Sequence, residues 1–197
     1  INDFSKPYII AEIGVNHEGS FEKAKELVLQ AKQGGANAAK FQHFKAHTIV
    51  SDIGFKSIKR TSHQKKWKKS VYEIYKNASI NSNWNDELSK TCKKYKIDFL
   101  TSPYDLKYVD DVNKHIPAYK IGSGDITWTD IIIKISKKRK PVIIATGASN
   151  LKDVERAIKV IKKYNNKIVL MQCNTNYTGD KKNIYYWRRR FCWFRIS

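Results

Sequence analysis

Two lysines sit inside otherwise apolar runs, Lys40 in AAKFQ and Lys120 in AYKIG. A buried ammonium is costly unless it is paired or binds something. Each lysine is therefore half of an internal ion pair or the floor of an anion site. Two of them at equivalent places favour an anion site, since an ammonium serves as a point charge for phosphate. Ser102 and Ser123 offer hydroxyl donors nearby, and the SGD turn offers backbone N–H groups as a nest. Glu12 and Asp125 also close apolar runs. They either balance the lysines or serve as general acid and base beside a cationic cluster. Gln42 and Asn174 can hydrogen-bond hydroxyls or a carboxylate, and Thr146 adds a further hydroxyl.

Histidine offers less. His43 and His47 have helical metal spacing, but nothing marks that stretch as a helix. His17, after the first run, is expected to face the site, while His63 and His115 read as surface and Met171 with Cys173 as core. There is no Walker loop, no GxGxxG after a strand, no GxSxG elbow and no zinc-ligand spacing. A nucleotide or dinucleotide cofactor is not expected.

Six apolar runs carry these residues at their ends: 8–14, 38–42, 97–103, 118–125, 141–147 and 167–176. A helical pattern follows each of the first five, with helices expected near 21–33, 85–95, 105–113, 129–137 and 151–164. Ser20 and Asn150 are placed to cap the first and last. Strands alternating with helices imply a parallel sheet. Closed into a barrel, such a sheet builds its active site at the C-terminal ends of the strands. The expected fold class is therefore α/β, a TIM (β/α)8-type barrel. A complete one needs about 250 residues, and 197 residues hold six of the eight strand–helix units. Residues 43–83 form a long excursion on the catalytic side, with SVYEIYKNASI as its one helical piece, and suit a lid or substrate loop.

The net charge is +20, mostly from lysine spread over KISKKRK, IKVIKKYNNK and HQKKWKK. Solvated helix faces and compositional bias account for this better than a nucleic-acid or membrane partner does. A basic field also draws in small phosphorylated substrates. Cys92, Cys173 and Cys192 form no CxxC pair, which favours the reducing cytoplasm. No apolar run approaches the length of a membrane span, and INDFSKPYII lacks the regions of a signal peptide. The pattern breaks at YYWRRRFCWFRIS. Aromatics interleaved with arginine suit single-stranded nucleic acid. The abrupt switch, where another helix and strand are due, favours a non-native reading frame or expression scar instead. The expected organisation is one domain over 1–178 and an atypical tail over 179–197.

Together, IAEIGVNHEGS, KFQHFKA, VYEIY, FLTSPYD, PAYKIGSGDITW, PVIIATGAS and MQCNTNYT resemble the sialic acid synthase family, over about residues 7–178. That family comprises N-acetylneuraminate synthase and its bacterial nonulosonate relatives. The resemblance implies a TIM-barrel catalytic domain that condenses phosphoenolpyruvate with an N-acylated amino-hexose, typically N-acetylmannosamine. The product is a nine-carbon sugar acid, and phosphate is released. It also implies Mn2+ or Mg2+, which polarises the sugar aldehyde, a domain-swapped homodimer and a small C-terminal antifreeze-like domain.

By motif, Lys40 and Lys120 resemble the lysines that hold phosphoenolpyruvate, and Ser102 and Ser123 support its phosphate or carboxylate. Gln42, Asn174 and Thr175 join that shell, and Tyr177 would contact the amino sugar. Glu12 resembles the carboxylate near the reacting carbons. Asp125 stands where many relatives have Glu, and Ala145 where many have Ser, a lost hydroxyl for which Thr146 is placed to compensate. The family's metal-binding histidines lie on late strands, beyond residue 197. No metal ligands are therefore expected here, and this polypeptide alone is expected to be inactive and poorly soluble. Two alternatives stay open: a legionaminic or pseudaminic acid synthase, and a non-catalytic remnant whose basic tail contacts nucleic acid.

Overall fold

The computed structural model describes residues 6–57 and 68–173, with the backbone of 195–196. By internal contacts the chain divides into two compact units, Lys6–Pro117 and Ala118–Ser197.

The first unit is built on three parallel strands, β1 (Ile10–Gly14), β2 (Ala38–His43) and β3 (Asp98–Pro103). Its first helix, α1 (Phe21–Gln33), starts at Ser20, whose hydroxyl accepts the Lys23 N–H, and stops at Gly34. Ala24 and Val28 of α1 are fully buried, as are Ala38 and Ala39 of β2. Small side chains on both elements let the helix approach the sheet closely. After β2 come three helices, α2 (Ala46–Ile49), α3 (Asp52–Ser57) and α4 (Val71–Ala78), and then α5 (Trp84–Lys94). The expectation of one helical piece between 43 and 83 is met by α4, which opens on a Ser70–Glu73 capping box. The short α2 and α3 were not expected, because four to six residues carry too few turns to show a 3.6-residue period. Residues 58–67 lie outside the described residues. The last helix, α6 (Leu106–Asp111), is capped by Asp105.

The second unit has three parallel strands, β4 (Tyr119–Ile121), β5 (Val142–Ala145) and β6 (Ile168–Met171). The two-residue strand β7 (Arg195–Ile196) pairs antiparallel with β6. Helix α7 (Thr129–Lys137) occupies the expected span, and its Ile131, Ile132 and Ile135 are buried. Helix α8 (Leu151–Lys162) opens on a capping box between Asn150 and Asp153. The rest of the tail lies outside the described residues.

In both units the strands alternate. In β2, Lys40 and Gln42 lie on one face while Phe41 and His43 lie on the other. In β3, Ser102 shares the face of Lys40 and Gln42, while Thr101 shares that of His43. Both faces of β2 and β3 are largely buried, as parallel strands covered by helices require. This is the α/β architecture of an incomplete TIM-type barrel. Among the described residues, no helix is long and apolar enough to cross a membrane.

Candidate functional site

At the ends of β1, β2 and β3, register brings Glu12 opposite Lys40 and Gln42 opposite Ser102. Lys40 Nζ lies 2.7 Å from Glu12 Oε2 and 3.4 Å from Ser102 Oγ. Lys40 is only 5% exposed and Ser102 2%, whereas the Glu12 side chain is 54% exposed. A sealed ammonium is thus held between a hydroxyl and a carboxylate that reaches into solvent. Gln42 is half-buried beside them. Gly14 closes β1 with φ +56°, where the register with β2 slips by one residue. A Cβ there would meet Glu12 Oε1 at 3.3 Å and Gln42 Nε2 at 3.9 Å. Glycine both permits the left-handed backbone and keeps that corner open.

In the second unit, β4 carries Lys120, 7% exposed, whose Nζ donates to the Ile121 carbonyl at 2.8 Å. A 3-10 turn, Ser123–Asp125, follows directly. Burial pushes the Asp125 carboxyl up to about 6, against an opposing pull from the Lys120 charge. Ser123 Oγ accepts the Gly147 N–H at 3.1 Å, tying this turn to the end of β5. Thr146 Oγ1 donates to the Met171 carbonyl at 3.3 Å, so its hydroxyl proton is already used. Ala145 is buried at the strand end. The two units therefore each gather a lysine, a serine and a carboxylate: Lys40, Ser102 and Glu12 in one, Lys120, Ser123 and Asp125 in the other. Asn174, Thr175 and Tyr177 lie outside the described residues.

His17 and His115 depart from expectation. His17 is fully buried, its ring 6.3 Å from Phe41 and 5.7 Å from Trp84, with Nδ1 accepting the Gly19 N–H. It packs with Phe41, whose side chain lies on the face of β2 opposite Lys40, and burial holds its pKa below the ordinary value. His43 and His47 share no helix. His43 ends β2 and is fully buried, while His47 is exposed in α2. His115 is not a surface group either, with its side chain 7% exposed and 3.7 Å from Asp86. Met171 and Cys173 are half-buried rather than core. Among the described residues no three His, Cys, Asp or Glu side chains come together to hold a metal, so these residues do not fit the divalent ion that the resemblance implies.

Sequence reasoning missed what His43 does. Its Nδ1 lies 2.7 Å from Thr101 Oγ1 and its Nε2 lies 2.7 Å from Asn85 Oδ1. Only the spacing to His47 drew notice to it, and that signal pointed elsewhere.

A model described as the NeuB family matches residues 27–185. The chain is 36% identical to N,N'-diacetyllegionaminic acid synthase of Campylobacter jejuni, over 87% of this chain and 52% of that protein. It is 30% identical to N-acetylneuraminate-9-phosphate synthase of Drosophila melanogaster, over 89% of this chain and 47% of that one. Among solved structures it is similar to an N-acetylneuraminic acid synthetase from Leptospira borgpetersenii in complex with citrate. That match has a TM-score of 0.75 and 21% identity, and covers 91% of this chain and 58% of the other. The chain thus spans about half the length of the curated relatives it matches.

Proposed function

The chain belongs to the NeuB family, and from that premise we propose that it is the phosphoenolpyruvate-holding part of a nonulosonate synthase. The observation that carries this reading is Lys40, an ammonium 5% exposed and held between the Ser102 hydroxyl and the solvent-reaching Glu12 carboxylate. Lys40 with Ser102 in the first unit, and Lys120 with Ser123 in the second, each supply a cation and a hydroxyl of the kind that an anionic group of phosphoenolpyruvate requires. Gln42, Thr146, Asn174, Thr175 and Tyr177 complete the proposed substrate shell. The acceptor is an N-acylated amino-hexose. The working protein is proposed to be a homodimer in the cytoplasm, with residues 1–178 as part of its barrel domain.

In the proposed reaction, C3 of the enol attacks the open-chain aldehyde and forms the new C–C bond. The positive charge left at C2 takes up water, and the tetrahedral carbon collapses as its bond to the phosphate oxygen breaks. Glu12 or Asp125 stabilises the cationic centre or accepts the water's proton. An aspartate titrating near 6 is matched to proton transfer close to neutral pH. Among the described residues no three His, Cys, Asp or Glu side chains come together to hold a divalent ion, so the proposed steps rest on this chain's own side chains.

Calorimetric titration with phosphoenolpyruvate tests the reading. Lys40→Ala and Lys120→Ala are each expected to weaken binding by about tenfold or more, the loss of one charge-assisted contact. Unchanged affinity in both would remove the anion site. The higher identity to the legionaminic enzyme (36% against 30%) favours a second reading of the acceptor. A 2,4-diacetamido-trideoxy sugar turned over in preference to N-acetylmannosamine would establish it, and the reverse preference would exclude it.

A further inference from the structure

We propose that His43 is a positioning residue, clamping from behind the two strand ends that present Gln42 and Ser102. This rests on the phosphoenolpyruvate site proposed above and adds residues to it to which sequence reasoning assigned no such role.

The argument begins with strand alternation. His43 follows Gln42 in β2 and Thr101 precedes Ser102 in β3, and Gln42 and Ser102 are register partners. The His43–Thr101 bond therefore crosses the same pair of strands, one residue away, on the opposite face. It is one of two ties at this point. The Tyr104 N–H also donates to the His43 carbonyl at 2.9 Å. On its far side the imidazole meets Asn85 of α5, and its ring packs edge-on against Phe99 of β3 and Tyr108 of α6. One fully buried side chain thus joins two strands and two helices directly behind the proposed site.

Counting protons fixes the ring's state. Asn85 Oδ1 can only accept, so Nε2 carries the hydrogen. In the neutral ring Nδ1 then accepts, and the Thr101 hydroxyl donates to it. Burial, with no carboxylate in contact, keeps the ring neutral. A neutral, doubly bonded imidazole sets a distance on each side, and neither bond tolerates a shift of an ångström. The consequence on the other face is the 3.4 Å approach of Lys40 Nζ to Ser102 Oγ, which a looser β2–β3 junction would lengthen.

The experiment uses the whole chain. Phosphoenolpyruvate affinity is measured for wild type, His43→Leu, His43→Asn and Thr101→Val, each also in a Ser102→Ala background. His43→Leu and Thr101→Val are expected to weaken affinity by about fivefold, the worth of roughly one hydrogen bond. His43→Asn, which keeps a polar group near the Nδ1 position, recovers most of it. In the Ser102→Ala background the His43→Leu effect is smaller, because one of the two groups it positions is gone. A melting temperature that falls while affinity holds, or equal losses in both backgrounds, would overturn the proposal and leave His43 a stability residue only. Thr101→Val decides the matter if His43→Leu does not fold. Failure of wild type to bind phosphoenolpyruvate would instead sink the reading of the site. Amide exchange at Gln42 and Ser102 then judges the clamp by itself: faster exchange in His43→Leu supports it, and equal exchange overturns it.

Discussion

Lys40 is sealed from water while its partner Glu12 stands half in solvent, so the two halves of this pair are not equivalent. Removing the carboxylate strands a buried ammonium, whereas removing the ammonium only returns a carboxylate to water. Glu12→Gln is therefore expected to lower unfolding free energy by about 1–2 kcal/mol, and Lys40→Met, of similar volume, by less than about 1 kcal/mol. Urea titrations of the two variants compare them directly, and equal losses would contradict the asymmetry. Asp125 makes its own prediction. Because burial lifts its carboxyl to about 6, a reaction that uses it as base should lose rate as pH falls through 6, where the carboxylate takes up a proton. Asp125→Asn should lower the rate and abolish that acid limb. A limb that survives in the variant belongs to another group.

Strands β1 to β6 were legible because each is a short apolar run that ends at glycine, proline or a polar cluster, and α1, α7 and α8 because they are long enough to show periodicity, with Ser20 and Asn150 as caps of α1 and α8. The short α2 and α3 were not. The His43 contact escaped for a different reason. Its partners Thr101 and Asn85 lie 58 and 42 residues away, and no local pattern in a single sequence joins them. Lys40, Ser102 and Glu12 were read together because each is a polar residue within or closing an apolar run, and register then set them side by side. The His43 network also links this corner of the fold to acid stability. Its folded pKa, about 4, lies below the ordinary 6.5, so the unfolded chain takes up the proton first. Stability is whole above pH 6.5 and falls as pH drops toward 4, by about 3 kcal/mol in all for this group. The difference in urea midpoint between wild type and His43→Leu should therefore shrink from pH 7 to pH 4.5. A constant difference would mean that the imidazole is not kept neutral.

At the scale of the whole chain, +20 in 197 residues sets a field rather than a fold. A substrate with two anionic groups feels it before contact. Raising salt from about 50 to 500 mM shortens the Debye length to a few ångströms, and phosphoenolpyruvate association should slow several-fold while dissociation changes little. Stopped-flow binding separates the two rates, and a change confined to dissociation would assign the charge no role in capture. The chain spans about half of its curated relatives, and the described residues hold both lysines and both carboxylates of the proposed chemistry but no metal cluster.

The alternation in β2 has a genetic corollary. Lys40 and Gln42 share one face with Phe41 and His43 on the other, all within a six-residue strand paired with β3 throughout and with β1 over Ala38–Phe41. A substitution there alters one side chain. An inserted or deleted codon within the strand instead slips the register and turns the faces over, pushing phenylalanine toward the solvent-reaching carboxylate and lysine into the helix packing. Lineages descended from this sequence can thus drift in the composition of β2, but its length is inherited as a unit.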